Sequence, residues 1–230
     1  HLSINEFAVS EGEFISILGA NGCGKSTLLR LVANLLSPDS GTVEIFGNGT
    51  NKKSLSDFSK LISYVPQMNY SVFPFSVYEI VMMGRNPYLN LLGFDKEDDR
   101  KIVNEALAML EIEHLAMKGI NEISGGEAQR VFIASALAQD AKIILLDEPN
   151  SHLDIEHQIA IFELLKSINI EKRKTILTVS HDLNLVGIYS NRTVIMENGK
   201  IAFDGEKKKI LTKENIKNSF HVDAEVITGK

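Results

Sequence analysis

Gly19, Gly24, Lys25 and Ser26 stand at the spacing G-x-x-x-x-G-K-[ST] within GANGCGKST, a run of small residues that ends in one cation and two hydroxyls. A stretch of this kind can hold a phosphate. Glycines let successive N–H groups turn inward with no Cβ in the way, and a following helix start adds its dipole and unpaired donors. Lys25 can reach β- and γ-phosphates, and the Ser26 hydroxyl is a candidate protein ligand for Mg2+. The candidate nucleotide contacts are Gly19, Asn21, Gly22, Cys23, Gly24, Lys25, Ser26 and Thr27. The plainer alternative is a glycine-rich turn capping an ordinary helix. Cys23 is open to two readings as well, a thiol activated by the helix start or a small residue that fits the loop.

Binding a phosphate does not hydrolyse it, and IILLDEP at 143–149 supplies the carboxylates that hydrolysis needs. Asp147 closes an apolar strand and is expected to hold Mg2+ through water. Glu148 is expected to polarise an attacking water as general base, provided its carboxylate lies within one hydrogen bond of that water. The alternative is a pair of acids capping a strand end. ISGGEAQRV at 123–131 puts a hydroxyl and two glycines ahead of an amphipathic run, which makes a second anion-accepting helix N-terminus.

These groups need elements to position them. Phe14–Leu18 reads as a buried strand before the loop, and Leu28, Leu29, Leu31, Val32, Leu35 and Leu36 recur at helical spacing after it. SINEFAV, TVEIF and LISYV read as further β runs. From about residue 75 the pattern turns helical, in VYEIVMMGR, in DKEDDRKIVNEALAMLEI with Asp95 as N-cap, and in GGEAQRVFIASALAQ. IILL and KTILTVS are apolar on both faces, as central parallel strands are. A helix is expected from about Asp154, another after Asp182, and a hairpin turning at Asn198-Gly199. The expected organisation is an α/β nucleotide-binding core at 1–66 and 140–205, a helical subdomain at 67–139 and a C-terminal extension at 206–230. EKKK at 206–209 reads as a solvated helix face.

The 230 residues carry 24 Lys and Arg against 30 Asp and Glu, a net charge of −6, which argues against a nucleic-acid surface. No apolar run approaches the ~18 residues of a membrane span. One cysteine excludes an internal disulfide. His152, Asp154, Glu156 and His157 form no recognised ligand pattern, and His114 and His221 have no partner visible in sequence. His1 opens inside a strand-like run without an initiator Met, so a segment upstream is expected.

Taken together, the phosphate loop, DEP and ISGGE resemble the ATP-binding subunit of an ABC transporter, whose signature sequence Ser124, Gly125, Gly126, Glu127 and Gln129 match. The resemblance implies an ABC-type ATPase fold, with a P-loop core, an antiparallel β portion and an inserted helical subdomain. It implies a head-to-tail homodimer, in which Ser124, Gly125, Gly126, Glu127 and Asp154 of one copy contact ATP held by the other. By the same resemblance Gln67 in YVPQ is the Q-loop glutamine, which senses Mg2+ alongside Ser26 and Asp147 and hinges the helical segment. Asp154 in SHLD belongs to the D-loop, and His181 in TVSHD is the switch histidine at the γ-phosphate. Glu148, His181, Gln67 and Lys25 are then the catalytic set, with ATP and Mg2+ as cofactors. Ala20, Ile123, Ala128 and Asn150 depart from the family's commonest residues without removing a catalytic group. The family's adenine-stacking aromatic is expected upstream of His1.

VYEIVMMGRNPYL, NEISGGEAQRV and the tail LTKENIKNSFHVDAEVI are similar to the subunits that import ferric siderophores, haem or cobalamin. That similarity implies uptake of an iron chelate, with cobalamin or a metal ion as the alternative. It also implies transmembrane permease partners, an extracytoplasmic substrate-binding protein acting through them, and a place on the inner face of a prokaryotic membrane. Phe73, Phe75 and Tyr88 would suit a protein groove there. An ABC ATPase acting on nucleic acid would carry long insertions and basic surfaces, and a small-molecule kinase has no use for the signature or the switch histidine.

Overall fold

The computed structural model describes residues 2–50, 54–67, 74–88, 97–151 and 153–227. Along the chain, β1 (Phe14–Gly19) runs through the phosphate loop into α1 (Lys25–Val32). The short strands β2 (Glu44–Ile45) and β3 (Asn48–Gly49), then α2 (Leu55–Ser59), lead to β4 (Ile62–Val65). The helices α3 (Val77–Met83), α4 (Glu97–Met109) and α5 (Gly125–Ala138) follow. Alternation then resumes with β5 (Ile143–Asp147), α6 (Ile155–Glu171), β6 (Thr175–Val179) and α7 (Leu183–Tyr189). The hairpin of β7 (Arg192–Glu197) and β8 (Lys200–Glu206) precedes α8 (Lys207–Ile210) and α9 (Lys213–Phe220).

The main sheet has the order β4-β5-β6-β1-β7-β8, parallel from β4 to β7 with β8 antiparallel at the edge. Its central strands β1, β5 and β6 are largely apolar on both faces because both faces are covered. Phe14, Ile144, Leu146 and Ile176 pack with α3 to α6, whereas Ile15, Ile17, Leu145, Leu177 and Val179 pack with Leu28 and Leu29 of α1. Since neighbouring residues of a strand point to opposite faces, one apolar run serves two layers. Parallel strands all end at the same edge, so the segments after β1, β4, β5 and β6 converge there.

The helical segment shares its core with the sheet, and two contacts hold it together. At Gly84 an added Cβ would lie 2.2 Å from the Ser135 carbonyl oxygen, so α3 and α5 approach backbone to backbone. Arg85, buried, donates from Nε to Asp99 Oδ1 at 2.8 Å and from Nη1 to the Ala138 carbonyl at 2.8 Å, with Tyr88 stacked 3.9 Å beneath its guanidinium.

Four expectations change. The first helix ends at Val32, so Leu35 and Leu36 lie beyond it and are exposed. SINEFAV forms no strand, although Leu2, Ile4 and Phe7 do cover the core, because an alternating run needs a covered face but not a ladder partner. Its main-chain tie is Ser3 N–H to the Gly199 carbonyl at 2.7 Å. TVEIF shrinks to the two residues of β2, since Phe46 and Gly47 at φ 51° and 70° turn the chain back at once. Lys207 is not simply solvated, for its ammonium donates to the Ile188 carbonyl at 2.7 Å and burial lowers its pKa. The Asn198-Gly199 turn stands as read, at φ 47° and 76°. Asp95 and Phe73 lie outside the described residues. Among the described residues no helix is long and apolar enough to cross a membrane.

Candidate active site at the carboxyl edge of the sheet

The phosphate loop follows β1, and its glycines are placed by necessity. Gly19 has φ 148°, and a Cβ there would lie 2.3 Å from the Met196 carbonyl oxygen and 2.7 Å from Cys23 Sγ. Cys23 is thus a buried packing residue beneath the loop. Gly24, at φ 103°, precedes α1 without any side-chain cap. By contrast Ser54, Ser76, Ser124, Asp154, Asp182 and Thr212 each cap their own helix with a side-chain oxygen. The first-turn N–H groups of α1 are therefore left for an anion. Lys25, 5% exposed, donates from Nζ to the carbonyls of Gly19 at 2.9 Å and Ala20 at 3.0 Å. Its ammonium has a third donor to offer.

Asp147 ends β5, 2% exposed, and reaches across the neighbouring strand to this loop. Its Oδ1 accepts from Ser26 Oγ at 2.8 Å and its Oδ2 from the Tyr64 hydroxyl at 3.2 Å. Burial, ahead of the Asp147 charge, raises the Tyr64 pKa, against the opposing pull of the Arg30 hydrogen bond. Neither hydroxyl carries charge, so a buried carboxylate here has room for a hard cation held jointly with phosphate oxygens. Among the described residues no cluster of three His, Cys, Asp or Glu could hold a metal alone.

Glu148, next in sequence, sits at φ 51°. That left-handed backbone sends its side chain away from Asp147 and between two others. Gln67 Nε2, after β4, donates to Glu148 Oε2 at 2.8 Å, and His181 Nε2, after β6, lies 2.7 Å from Oε1. Since the carboxylate accepts, His181 carries its proton on Nε2. A cavity of about 360 Å3 opens beside them, lined by Asn21, Gly22, Gly24, Lys25, Ser26, Thr27, Gln67 and Glu148. A second, of about 470 Å3, lies on the far side of Glu148 among Asn150, Ser151, Gln158 and His181. Of the two, the smaller one holds the uncapped helix start and Lys25, which are groups suited to a phosphate.

Ser124, Gly125, Gly126, Glu127 and Asp154 form a separate group. Among the described residues no hydrogen bond joins them to the phosphate loop, Asp147, Glu148 or His181. The α5 start is closed on itself, because Ser124 Oγ donates to Glu127 Oε2 at 2.7 Å and accepts from Glu127 N–H at 3.3 Å. Hydrogen bonds from the Ser124 side chain and backbone lower the Glu127 pKa, and a backbone hydrogen bond from His157 does most to lower that of Asp154. Tyr64 and Arg30 were not singled out in the sequence. A hydroxyl on the strand beside the one that ends in Asp147 was the available signal.

The profile of the ABC transporter family matches residues 2–151. The chain is 36% identical over 221 residues to the petrobactin import ATP-binding protein FpuC of Bacillus anthracis, covering 96% of this chain and 81% of that protein. It is 35% identical over 222 residues to the cobalamin import ATP-binding protein BtuD of Halobacterium salinarum, covering 96% of this chain and 55% of that protein. An inward-facing structure described as that of a putative metal-chelate type ABC transporter superposes with a TM-score of 0.84 at 34% identity, over 94% of this chain and 82% of that one. A dimeric bacterial ABC transporter cassette, MJ0796, does so with a TM-score of 0.76 at 33% identity, over 87% and 88%.

Proposed function

The chain belongs to the ABC transporter family, and from that premise we propose that this importer ATPase drives uptake of an iron chelate, a ferric siderophore or haem, as a head-to-tail dimer closed on two ATP molecules. The observation that carries the hydrolytic part is Glu148, held between Gln67 and His181 at the mouth of the phosphate-loop cavity. The likeness to FpuC and to a metal-chelate type transporter supports the substrate class. The likeness to a cobalamin import protein supports cobalamin as the second reading.

In this reading the α1 N–H groups and Lys25 bind the β- and γ-phosphates, and Gly19, Asn21, Gly22, Cys23, Gly24 and Thr27 shape the loop around them. Ser26 and Asp147, which share a hydrogen bond at 2.8 Å, fit a Mg2+ site, and Gln67, which lines the same cavity as Ser26, joins it by the family resemblance. When bound, the ion neutralises charge on the phosphate oxygens. Glu148 accepts a proton from the water whose oxygen attacks the γ-phosphorus as the bond to the bridging oxygen breaks. His181 fixes the carboxylate from one side and Gln67 from the other. Ser124, Gly125 and Asp154 are exposed, Glu127 is half-buried and Gly126 is buried, and none of the five is committed to the chain's own loop, which supports contact with ATP on a second copy. Closure needs the γ-phosphate to bridge the copies and moves the permease; hydrolysis resets it. The segment at 67–139 moves as the helical subdomain, hinged at Gln67, and 206–230 is an extension. The subunit works at the inner face of a prokaryotic membrane, bound to its permease, with a substrate-binding protein outside and no nucleic acid.

Glu148→Gln is expected to lower phosphate release about 10²- to 10³-fold with ATP affinity unchanged. In cells carrying that substitution, uptake of labelled ferric siderophore, haem and cobalamin identifies the cargo. Loss of an iron chelate alone supports iron acquisition, loss of cobalamin alone supports the second reading, and persistence of all three overturns the assignment.

A further inference from the structure

His157 has no place in the reaction as derived, yet it touches both of the chain's segments that are assigned to contact ATP on the partner copy. Its ring covers Gly126 in the first turn of α5, where an added Cβ would lie 2.6 Å from His157 Cδ2 and 3.1 Å from Cγ. Its Nδ1 lies 2.6 Å from Asp154 Oδ1, and its backbone N–H donates to the same oxygen at 2.9 Å. Gly126 has no need of glycine in its backbone, since its φ is not in the left-handed region. The absence of a side chain at 126 makes the seat for the imidazole. One residue further out, Gly125 meets Leu153 of the same loop, 3.9 Å from its Cβ position to Cδ2.

We propose that His157 is a positioning residue that locks the start of α5, Ser124–Glu127, to Asp154, so that two segments from different elements meet a second copy as one rigid body. The proposal rests on the reading of those segments as contacts in trans. Closing a dimer on two independently moving segments would require each to be ordered at the moment of contact. A link formed within the monomer removes part of that cost before the partner arrives. The ring is suited to this because opposite parts of it serve the two neighbours, Nδ1 toward Asp154 and Cδ2 toward Gly126.

The test uses the full chain carrying Glu148→Gln, with Mg-ATP, and reads the dimer dissociation constant beside the ATP affinity of the monomer. His157→Ala is expected to weaken the dimer about tenfold with monomer ATP affinity unchanged. His157→Asn keeps a donor near the Nδ1 position but uncovers Gly126, and His157→Phe keeps a ring there but loses the bond to Asp154. Each breaks one half of the link, so both are expected to weaken the dimer as His157→Ala does. If either dimerises like its parent, the lock is overturned and only capping or packing remains. If ATP binding falls along with dimerisation in all three, His157 supports the fold and the proposal fails. A parent that stays monomeric overturns the trans reading itself, and this proposal with it.

Discussion

Glu148 occupies a backbone region that costs a non-glycine residue roughly 1–3 kcal/mol, and the bonds to Gln67 and His181 show what that cost secures. Asp147 and Glu148 are neighbours in sequence with separate partners, and a regular strand would also have sent them to opposite faces. The turn at Glu148 instead brings both carboxylates to one edge, toward different groups. Glu127 gives a pH test at the same scale. Its folded pKa is depressed by Ser124, so the capping box contributes fully above the ordinary carboxylate range and is lost as pH falls through the lower folded value. Compared with Glu127→Gln in urea unfolding, the wild-type chain is expected to lose relative stability as pH falls below the ordinary carboxylate value, with the difference constant above it.

Between elements, the close approach at Gly84 makes α3 and α5 one unit. Gly84 is helical, so its missing side chain matters only for space, and Gly84→Ala must push the Ser135 carbonyl away. A loss of about 1–3 kcal/mol in urea unfolding is expected. Spacing within VYEIVMMGR and GGEAQRVFIASALAQ showed two helices but not which would touch, because helical periodicity reports a buried face and not its neighbour. The helix starts near Asp154 and after Asp182 were legible for the opposite reason: the side chain that caps each bonds within three residues of its own helix.

For the whole molecule, ATP binding and stability are linked. In the proposed reading ATP sits on the phosphate loop, which is formed only when β1, β5 and β6 hold their order, so ATP at 100 times its dissociation constant is expected to stabilise the fold by about 2.7 kcal/mol. Thermal unfolding with and without Mg-ATP reads this. Lys25→Ala, which removes the ammonium over the loop, is expected to lose most of that gain at equal ATP. A Lys25→Ala chain stabilised as much as wild type would place the nucleotide elsewhere.

The sequence alone determined which chemistry is present and which strands are central. A glycine-rich loop between a strand and a helix, an apolar strand ending in Asp147 and a helix starting after Ser124 are local patterns, set by a few adjacent residues, and each forms close to where its residues predict, with Gly125 and Gly126 inside the helix rather than ahead of it. The division of those groups into two sets was decided by tertiary structure. Parallel strands all end at one edge, which brings Lys25, Gln67, Asp147, Glu148 and His181 together from across 157 positions of sequence. The α5 start and Asp154 stand apart from them, joined through His157. Strand order, the turn at Glu148 and the imidazole seated on Gly126 depend on contacts between residues far apart in the chain, and no window of sequence holds both sides of such a contact.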